Sequence, residues 1–400
     1  MTASPGDRDR PEGGAERNGL LAAVERALPE ALALARWMAA HPELSLAERE
    51  TSERYVEALA RRGFAVERRA AGLDTAFVAT RGAPGAPLRA ALLAEMDALP
   101  EIGHACGHNL SGPASLCAAF ALAECLAPEE VQLVVVGSPA EEIGVGKRRL
   151  VAAGVFRDVD VAMMAHASDM RRAHRLFLGN RKFTFTFHGR AAHAAAYPER
   201  GVNALDAVIA LFVAVGLLRQ QLPQGVRIHG IVTDGGRAPN VIPERAAAEI
   251  WVRALDPGEL DRAAQALQRA AEGAAAATGT RLDAQELESS SPALRPNRAL
   301  AACYGRALAS LGLAETPHAP DQAIGSSDVT HVSHAVPTIH PNFPIGRDLQ
   351  LHTRAFADAA ASEAGLAGLT EAARALALTV LELARDPALR AQVAAEFAGR

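Results

Sequence analysis

The densest cluster of side chains able to bind a metal is His104–Ala–Cys106–Gly–His108–Asn109, which follows the stretch AEMDALP at 94–100. A thiolate and an imidazole two residues apart can share a divalent ion of zinc-like softness. The same residues also suit a buried thiol beside a capping histidine, so the fragment alone leaves both readings open. Ser138–Pro–Ala–Glu141–Glu142 follows the apolar run VQLVVVG. Adjacent carboxylates repel, and a pair at a strand exit makes sense if a cation neutralises one of them. The other is then free to act as general base on a metal-bound water. A solvated acidic loop is the ordinary alternative. A third apolar run, VDVAMMA, ends at His166. Cys/His, Glu/Glu and His thus stand at three successive strand exits, a coincidence that favours a metal centre over unrelated loops.

The elements that would position these groups follow from periodicity. Leu20–Ala40 and Leu46–Arg62 carry apolar residues at helical spacing, with Gly63 stopping the second and Pro29 implying a kink or restart in the first. Strand-like runs at Thr75–Thr80, Leu88–Ala94, Val131–Gly137 and Val159–Ala165 are interleaved with helical stretches at Ser111–Leu126 and Lys147–Ala153. Near-continuous apolar strands separated by helices predict a mostly parallel sheet with helices on both faces. Ligands in such sheets gather outside the carboxyl ends of the strands. From residue 181 the rhythm changes. KFTFTFH alternates as a half-exposed strand should, and the order strand, helix, strand, strand, helix, strand runs to Glu286. That order is the split βαβ pattern of a ferredoxin-like α+β domain. The expected organisation is a flexible N-terminus at 1–19, a catalytic domain at 20–180 and 290–400, and an inserted lid at 181–289. Within 290–400, a helix at Arg298–Leu311, a strand at Val336–His340 and a final helix at Ala361–Arg385 are expected.

Composition narrows the class. The 400 residues include 41 basic and 46 acidic side chains, and a net charge of −5 does not provide the basic face that nucleic acid selects. No apolar stretch reads as the roughly 18–20 residues of a membrane span, and no juxtamembrane basic cluster is present. The start lacks the apolar core of a secretory signal. The four cysteines, Cys106, Cys117, Cys125 and Cys303, form no C-x-x-C pair and no disulfide framework. A cytoplasmic protein is the expectation.

Six linked motifs carry a resemblance: AEMDALPEIGHACGHNLSG, GSPAEE, GRAAHAAAYPERGVNALDA, RIHGIVTDGGRAPNVIPE, GSSDVTHVSHAVPTIHP and the late LHT. Over about residues 20–385 the chain resembles the dinuclear metallopeptidases and amidohydrolases that include aminoacylase and glutamate carboxypeptidase. Within them it is most similar to the branch of auxin-conjugate hydrolases, p-aminobenzoyl-glutamate hydrolase and Xaa-Arg (β-alanyl-lysine) dipeptidases. The resemblance implies five metal ligands, Cys106, His108, Glu142, His166 and His352, with the Cys106 thiolate bridging two divalent ions. It gives Glu141 the role of general base and acid, and Asp97 that of orienting a ligand. His193 would stabilise the tetrahedral oxyanion, where a preorganised donor is worth about 2.7–4 kcal/mol. Asn240, Arg253 and Gly325 match substrate-holding positions, and the fork of Arg253 suits a carboxylate. His229 stays without a role. The other histidines (His41, His174, His188, His318, His331, His334 and His340) read as surface or structural.

The resemblance therefore implies metal-dependent hydrolysis of an amide bond in a dipeptide or N-acyl amino acid, by a homodimer joined through the lid. Zinc is the expected metal on ligand softness, with manganese and cobalt as alternatives. Departures from the branch lie around the substrate. Asn109 and Glu95 stand where many relatives carry Asp, IGVGKRR follows GSPAEE, and Ala167 follows His166 where Pro is frequent. Hydrolysis of another C–N bond, an aryl amide or aryl amine, thus stays open, as does a metal-poor binding relative.

Overall fold

The computed structural model describes residues 11–317 and 325–399, so the first half of the expected flexible N-terminus and His318 lie outside the described residues. The chain divides into two compact units, Leu176–Leu294 with the 323–330 segment forming the second and the remainder the first.

The first unit opens with helices α1 (Pro11–Ala40) and α2 (Arg49–Arg61) and strands β1 (Ala65–Arg68), β2 (Phe77–Arg81) and β3 (Arg89–Glu95). Helix α3 (His108–Cys125), strand β4 (Gln132–Ser138), helix α4 (Gly146–Ala152) and short strands β5 (Val161–Met163) and β6 (His166–Ser168) follow. The second unit holds β7 (Gly179–His188), α5 (Ala204–Arg219), β8 (Arg227–Asp234), β9 (Arg245–Ala254), α6 (Pro257–Thr278) and β10 (Arg281–Glu286). The chain then returns through α7 (Arg298–Ser310), α8 (Val329–Ala335), β11 (Thr338–Ile339), β12 (Asn342–Pro344), α9 (Arg354–Ala360), α10 (Glu363–Arg385) and α11 (Pro387–Ala398).

The main sheet has the order β1-β2-β4-β3-β5-β11, with β4, β3, β5 and β11 parallel and the β1–β2 edge antiparallel. The β3–β4 register runs from Arg89↔Gln132 to Glu95↔Ser138, so these two strands exit level with each other. Both faces of the centre are buried. Leu92 and Ala94 join the core beneath α1, α3 and α10, while Ala91, Leu93, Val134 and Val136 are equally buried outside that cluster. Helix α3 is buried all round, which its Ala- and Leu-rich sequence permits.

Some expectations need correction. Residues 11–19 belong to α1, which also runs unbroken through Pro29. Packing of Leu20, Ala23, Val24, Ala27 and Ala31 into the core holds that helix against the lost hydrogen bond. The third apolar run does not reach His166, because β5 ends at Met163 and His166 starts its own strand, β6, paired parallel to β12. Helix α10 is long and apolar enough by composition to cross a bilayer (mean hydropathy 1.3 over 18 residues), yet 72% of that window is buried within the protein. The second unit begins at Leu176 rather than 181, since Leu294 N donates to Phe177 O and Asn180 and Ser291 exchange backbone hydrogen bonds.

The second unit is a four-stranded antiparallel sheet in the order β10-β7-β9-β8, backed by α5 and α6. This is the ferredoxin-like arrangement. Period-2 alternation sends Phe183, Phe185 and Phe187 into one core with Val208, Leu211, Leu260 and Leu267. Helix α5 keeps a second apolar stripe outside, with Ile209, Val213 and Leu217 being 53%, 60% and 72% exposed. On the edge strand β8, Ile231 and Val232 are exposed as well.

Candidate metal centre

The HACGH segment is shaped by the exit of β3. After Glu95 the chain turns through Asp97, and Gly107 caps α3 with φ 83°. A side chain there would place its Cβ 2.5 Å from the Cβ of Ala167, so glycine is what lets α3 start against the His166 strand. His108 is the first residue of α3, three residues earlier than the sequence periodicity suggests.

The two buried imidazoles are oriented by their Nδ1 atoms. His108 Nδ1 lies 2.8 Å from the Asp97 carbonyl and His166 Nδ1 2.8 Å from the Ala167 carbonyl. A carbonyl only accepts, so both Nδ1 atoms are donors and both Nε2 atoms carry lone pairs toward the site. Asp97 also puts Oδ1 3.3 Å from His108 Nδ1, while its Oδ2 accepts from Ser45 Oγ (2.7 Å) and from the backbone N of Glu142 (3.0 Å). One carboxylate therefore ties a histidine to the Glu141–Glu142 loop.

That loop is held from a second side. Ala140 adopts φ 59°, and its N–H donates to Glu48 Oε1 at 2.9 Å, while Thr75 Oγ1 donates to Glu48 Oε2 at 2.8 Å. Burial pushes the Glu48 carboxyl up, and the repulsion of Asp97 adds to it. A side chain at Gly146 would meet the Pro139 carbonyl, so the loop closes tightly on itself.

His352 arrives from a remote turn with φ 63°, uncommon for a non-glycine residue and of a kind concentrated at functional sites. Its N–H donates to Ala105 O at 3.0 Å, which fastens the turn to the HACGH segment. His352 Nε2 then sits 3.7 Å from Cys106 Sγ and 3.5 Å from Glu142 Oε2, and Cys106 Sγ is 3.8 Å from His166 Nε2.

Two groups of possible ligands contain Cys106. Ligand atoms of Cys106, His108 and His166 lie within 4.8 Å of one another, as do those of Cys106, Glu142 and His352. Cys106 belongs to both. Glu141 forms a further such group with His108 and Glu142, and Glu95 another with His166 and His340. The five expected ligands and Glu141 are thus brought together in the first unit.

The donor set fits a divalent metal pair. His108 Nε2 and Glu142 Oε1 are fully buried and make no hydrogen bond, an expensive state that a cation relieves. Burial pushes the Cys106 thiol far up, so ionising it requires a strong local positive charge. Burial also raises the Glu142 carboxyl and lowers His166 to about 4, leaving the ring a neutral ligand at ordinary pH. For His108 burial alone would depress the ring, but Glu95 and Asp97 outweigh it and draw it upward.

The remaining predicted residues lie in the second unit, in two groups. His193 is exposed, its Nδ1 accepts from Ala195 N (3.3 Å) and Ala196 N (3.1 Å), and its strand bridges Val241. Ala194 N donates to Asn240 O, which places His193 beside the Asn240 turn. Arg253 donates from Nε to His229 Nε2 (3.2 Å) and from Nη1 to Ser326 Oγ (3.3 Å). Gly325 adjoins Ser326, and its carbonyl accepts from Leu178 N. A Cβ at Gly325 would meet nothing, so space does not demand glycine there.

Sequence reasoning missed Glu48, Lys147 and the placement of Glu95. In the sequence Glu95 stands out only as a departure from relatives, and the available signal is alternation along AEMDALP, which pairs it with Asp97. His340, expected to be surface or structural, is buried and stacks on His166 with ring centroids 5.1 Å apart. Asn109 Nδ2 donates to Ala360 O at 3.1 Å, joining α3 to α9.

Comparisons with known proteins bear on the family and the fold. Residues 178–278 match the model of a peptidase dimerisation domain. The chain is 38% identical over 340 residues to Xaa-Arg dipeptidase of Mus musculus, covering 82% of this chain and 78% of the relative. It is 33% identical over 296 residues to a p-aminobenzoyl-glutamate hydrolase chain of Escherichia coli, covering 69% and 61%. Among solved structures, a dinuclear metal binding peptidase of the M20 family from Bacillus subtilis superposes with a TM-score of 0.68 at 22% identity, covering 90% of this chain and 99% of that one. An aminobenzoyl-glutamate utilization protein from Klebsiella pneumoniae gives 0.69 at 21% identity, covering 90% and 97%.

Proposed function

The chain belongs to the metallopeptidase and amidohydrolase family of the Xaa-Arg dipeptidases and p-aminobenzoyl-glutamate hydrolases, and from that membership we propose how its residues divide the work. It is a metal-dependent amidohydrolase whose site takes two divalent ions. The observation that carries the mechanism is the convergence of four ligand residues, His108, His166, Glu142 and His352, on Cys106, with the carboxylate of Glu141 beside them.

Ions held there supply Lewis acidity toward the amide carbonyl and lower the pKa of water. Glu141, with its side chain 11% exposed, takes the proton of the attacking water and passes it to the leaving amine. Asp97 keeps His108 in its ligating tautomer and fixes the backbone of Glu142, so base and ligand stay apart. We assign His193 as the oxyanion donor, and Asn240, Arg253 and Gly325 as substrate contacts with Arg253 clamping a carboxylate. The substrate is a dipeptide or N-acyl amino acid with a free carboxylate, and zinc is the metal its Cys/His/Glu shell prefers. The exposed α5 stripe and β8 edge support a homodimer through the second unit. Four free thiols support a reducing, cytoplasmic location, which fractionation of the host cells would check.

The test is metal content by plasma emission spectrometry together with hydrolysis of dipeptides, acyl amino acids and aminobenzoyl-glutamate before and after chelation. About two ions per chain and chelator-sensitive dipeptide hydrolysis are expected. Turnover of aminobenzoyl-glutamate alone would move the substrate class to aryl amides, and a metal-free, inactive protein would overturn the reading.

A further inference from the structure

Glu95 ends β3 with its side chain wholly buried, and the proposed reaction does not use it. A buried carboxylate is costly unless its oxygens are satisfied. Only one of them is. Oε1 accepts from Lys147 Nζ at 2.6 Å, and that ammonium is itself wholly buried. Oε2 makes no hydrogen bond, although it stands 3.2 Å from His108 Nε2 and 3.9 Å from His166 Nε2.

Those are the two ring nitrogens that do not bond to backbone carbonyls; His108 Nε2 has no hydrogen bond, and His166 Nε2 lies 3.8 Å from Cys106 Sγ. With the His108 ring neutral, as ligation requires, three atoms with lone pairs face one another. Their separations are ones that two donors about 2.0–2.2 Å from a shared divalent ion can span. We propose that Glu95 is a sixth protein ligand of the metal centre, binding through Oε2 the ion held by His108 and His166 while Lys147 fixes Oε1. The pairing has a chemical consequence. A carboxylate already bonded to an ammonium adds an oxygen donor with almost no added net charge, so the ion keeps more of its Lewis acidity than a free carboxylate would leave it.

This inference rests on the metal-centre reading, and the test separates the two. Zinc and cobalt affinities would be measured by competition with a chromogenic chelator for wild type, Glu95→Gln, Lys147→Met and the double variant. The visible absorption of the cobalt-loaded proteins and the melting of the metal-free proteins would be recorded alongside. Wild type is expected to hold two ions, and if it holds none the metal centre itself fails and this proposal with it. Glu95→Gln is expected to weaken one ion by about 10- to 100-fold, the size typical of lost support at a metal site. It should also intensify the cobalt band as the coordination number falls, with the second ion unaffected. Lys147→Met is expected to lower the melting temperature yet retain both ions, and the double variant to behave toward metal as Glu95→Gln does. Unchanged affinities and spectrum in Glu95→Gln would overturn the proposal, as would equal metal loss in the two single variants in step with lost stability. Should Glu95→Gln not fold, Glu95→Asp keeps the charge but shortens the reach; weakening of one ion supports the assignment, and wild-type affinity for both overturns it.

Discussion

Glu141 and Glu142 are neighbours in sequence to which we assign separate duties, and contacts rather than chemistry separate them. Glu142 has its backbone fixed by Asp97 and its carboxylate facing His352, whereas the Glu141 carboxylate faces His108 Nε2 at 3.9 Å. Glu141→Gln is therefore expected to keep the fold and both ions and to lower kcat by about 10²–10⁴, the range of a lost general base. Rates near wild type in that variant would remove Glu141 from the mechanism. A second prediction concerns His104, whose burial, aided by the nearby His108, pushes its pKa down to about 3. An unfolded histidine titrates near about 6.5, so the unfolded chain binds the proton more readily than the folded one. The stability involved is fully present above about pH 6.5 and is lost as pH falls toward 3. Metal-free His104→Gln should show a shallower loss of melting temperature over that window, by one proton's share. His166 is lowered in the same direction and accounts for part of the slope that remains. An identical slope in the variant would contradict the assignment.

Between elements, the junction of α3 with β6 decides whether the two histidines meet. Gly107 is required there twice, by its φ of 83° and by the 2.5 Å approach a Cβ would make to Ala167. Gly107→Ala is expected to destabilise the protein by about 1–3 kcal/mol and to weaken metal binding by the Cys106, His108 and His166 group. Adding Ala167→Gly removes the collision but not the left-handed backbone, so it should restore only part of the loss. Full restoration in the double variant, seen by chemical denaturation, would show that the φ value costs nothing. The second unit has its own element-scale requirement. Phe183, Phe185 and Phe187 fill one core from one strand, and Phe185→Ala is expected to cost about 3–5 kcal/mol in that unit. Denaturation that leaves it as stable as wild type would argue against this core.

For the molecule as a whole, the exposed stripe on α5 is the feature that isolated chains leave unexplained. Ile209, Val213 and Leu217 recur every four residues on one face and are exposed, as are Ile231 and Val232 of the β8 edge. Apolar stripes and open sheet edges of this kind are where chains associate. Val213→Asp combined with Leu217→Asp is expected to turn a dimeric mass into a monomeric one by light scattering, while each chain keeps its two ions. A wild type that is monomeric and fully active would sink the dimer.

The sequence by itself determined most of the elements and singled out the candidate ligands near the strand exits. Alternation in KFTFTFH, the apolar runs of the parallel strands, and the Cys/His, Glu/Glu and His groups near their exits are local patterns, and local patterns are what a linear chain displays. His352, Glu48 and the Glu95–Lys147 pair were not legible in this way, because each acts across 52 to 246 residues of sequence. A lone histidine in a turn, or a lysine after a glycine, carries no periodicity to mark it. Only the tertiary structure decided which of them stand beside the candidate ligands. It did so through backbone ties such as His352 N to Ala105 O and through close approach at Gly107. Burial then made every polar atom there need a partner, and that need selects the positions a charged group can hold.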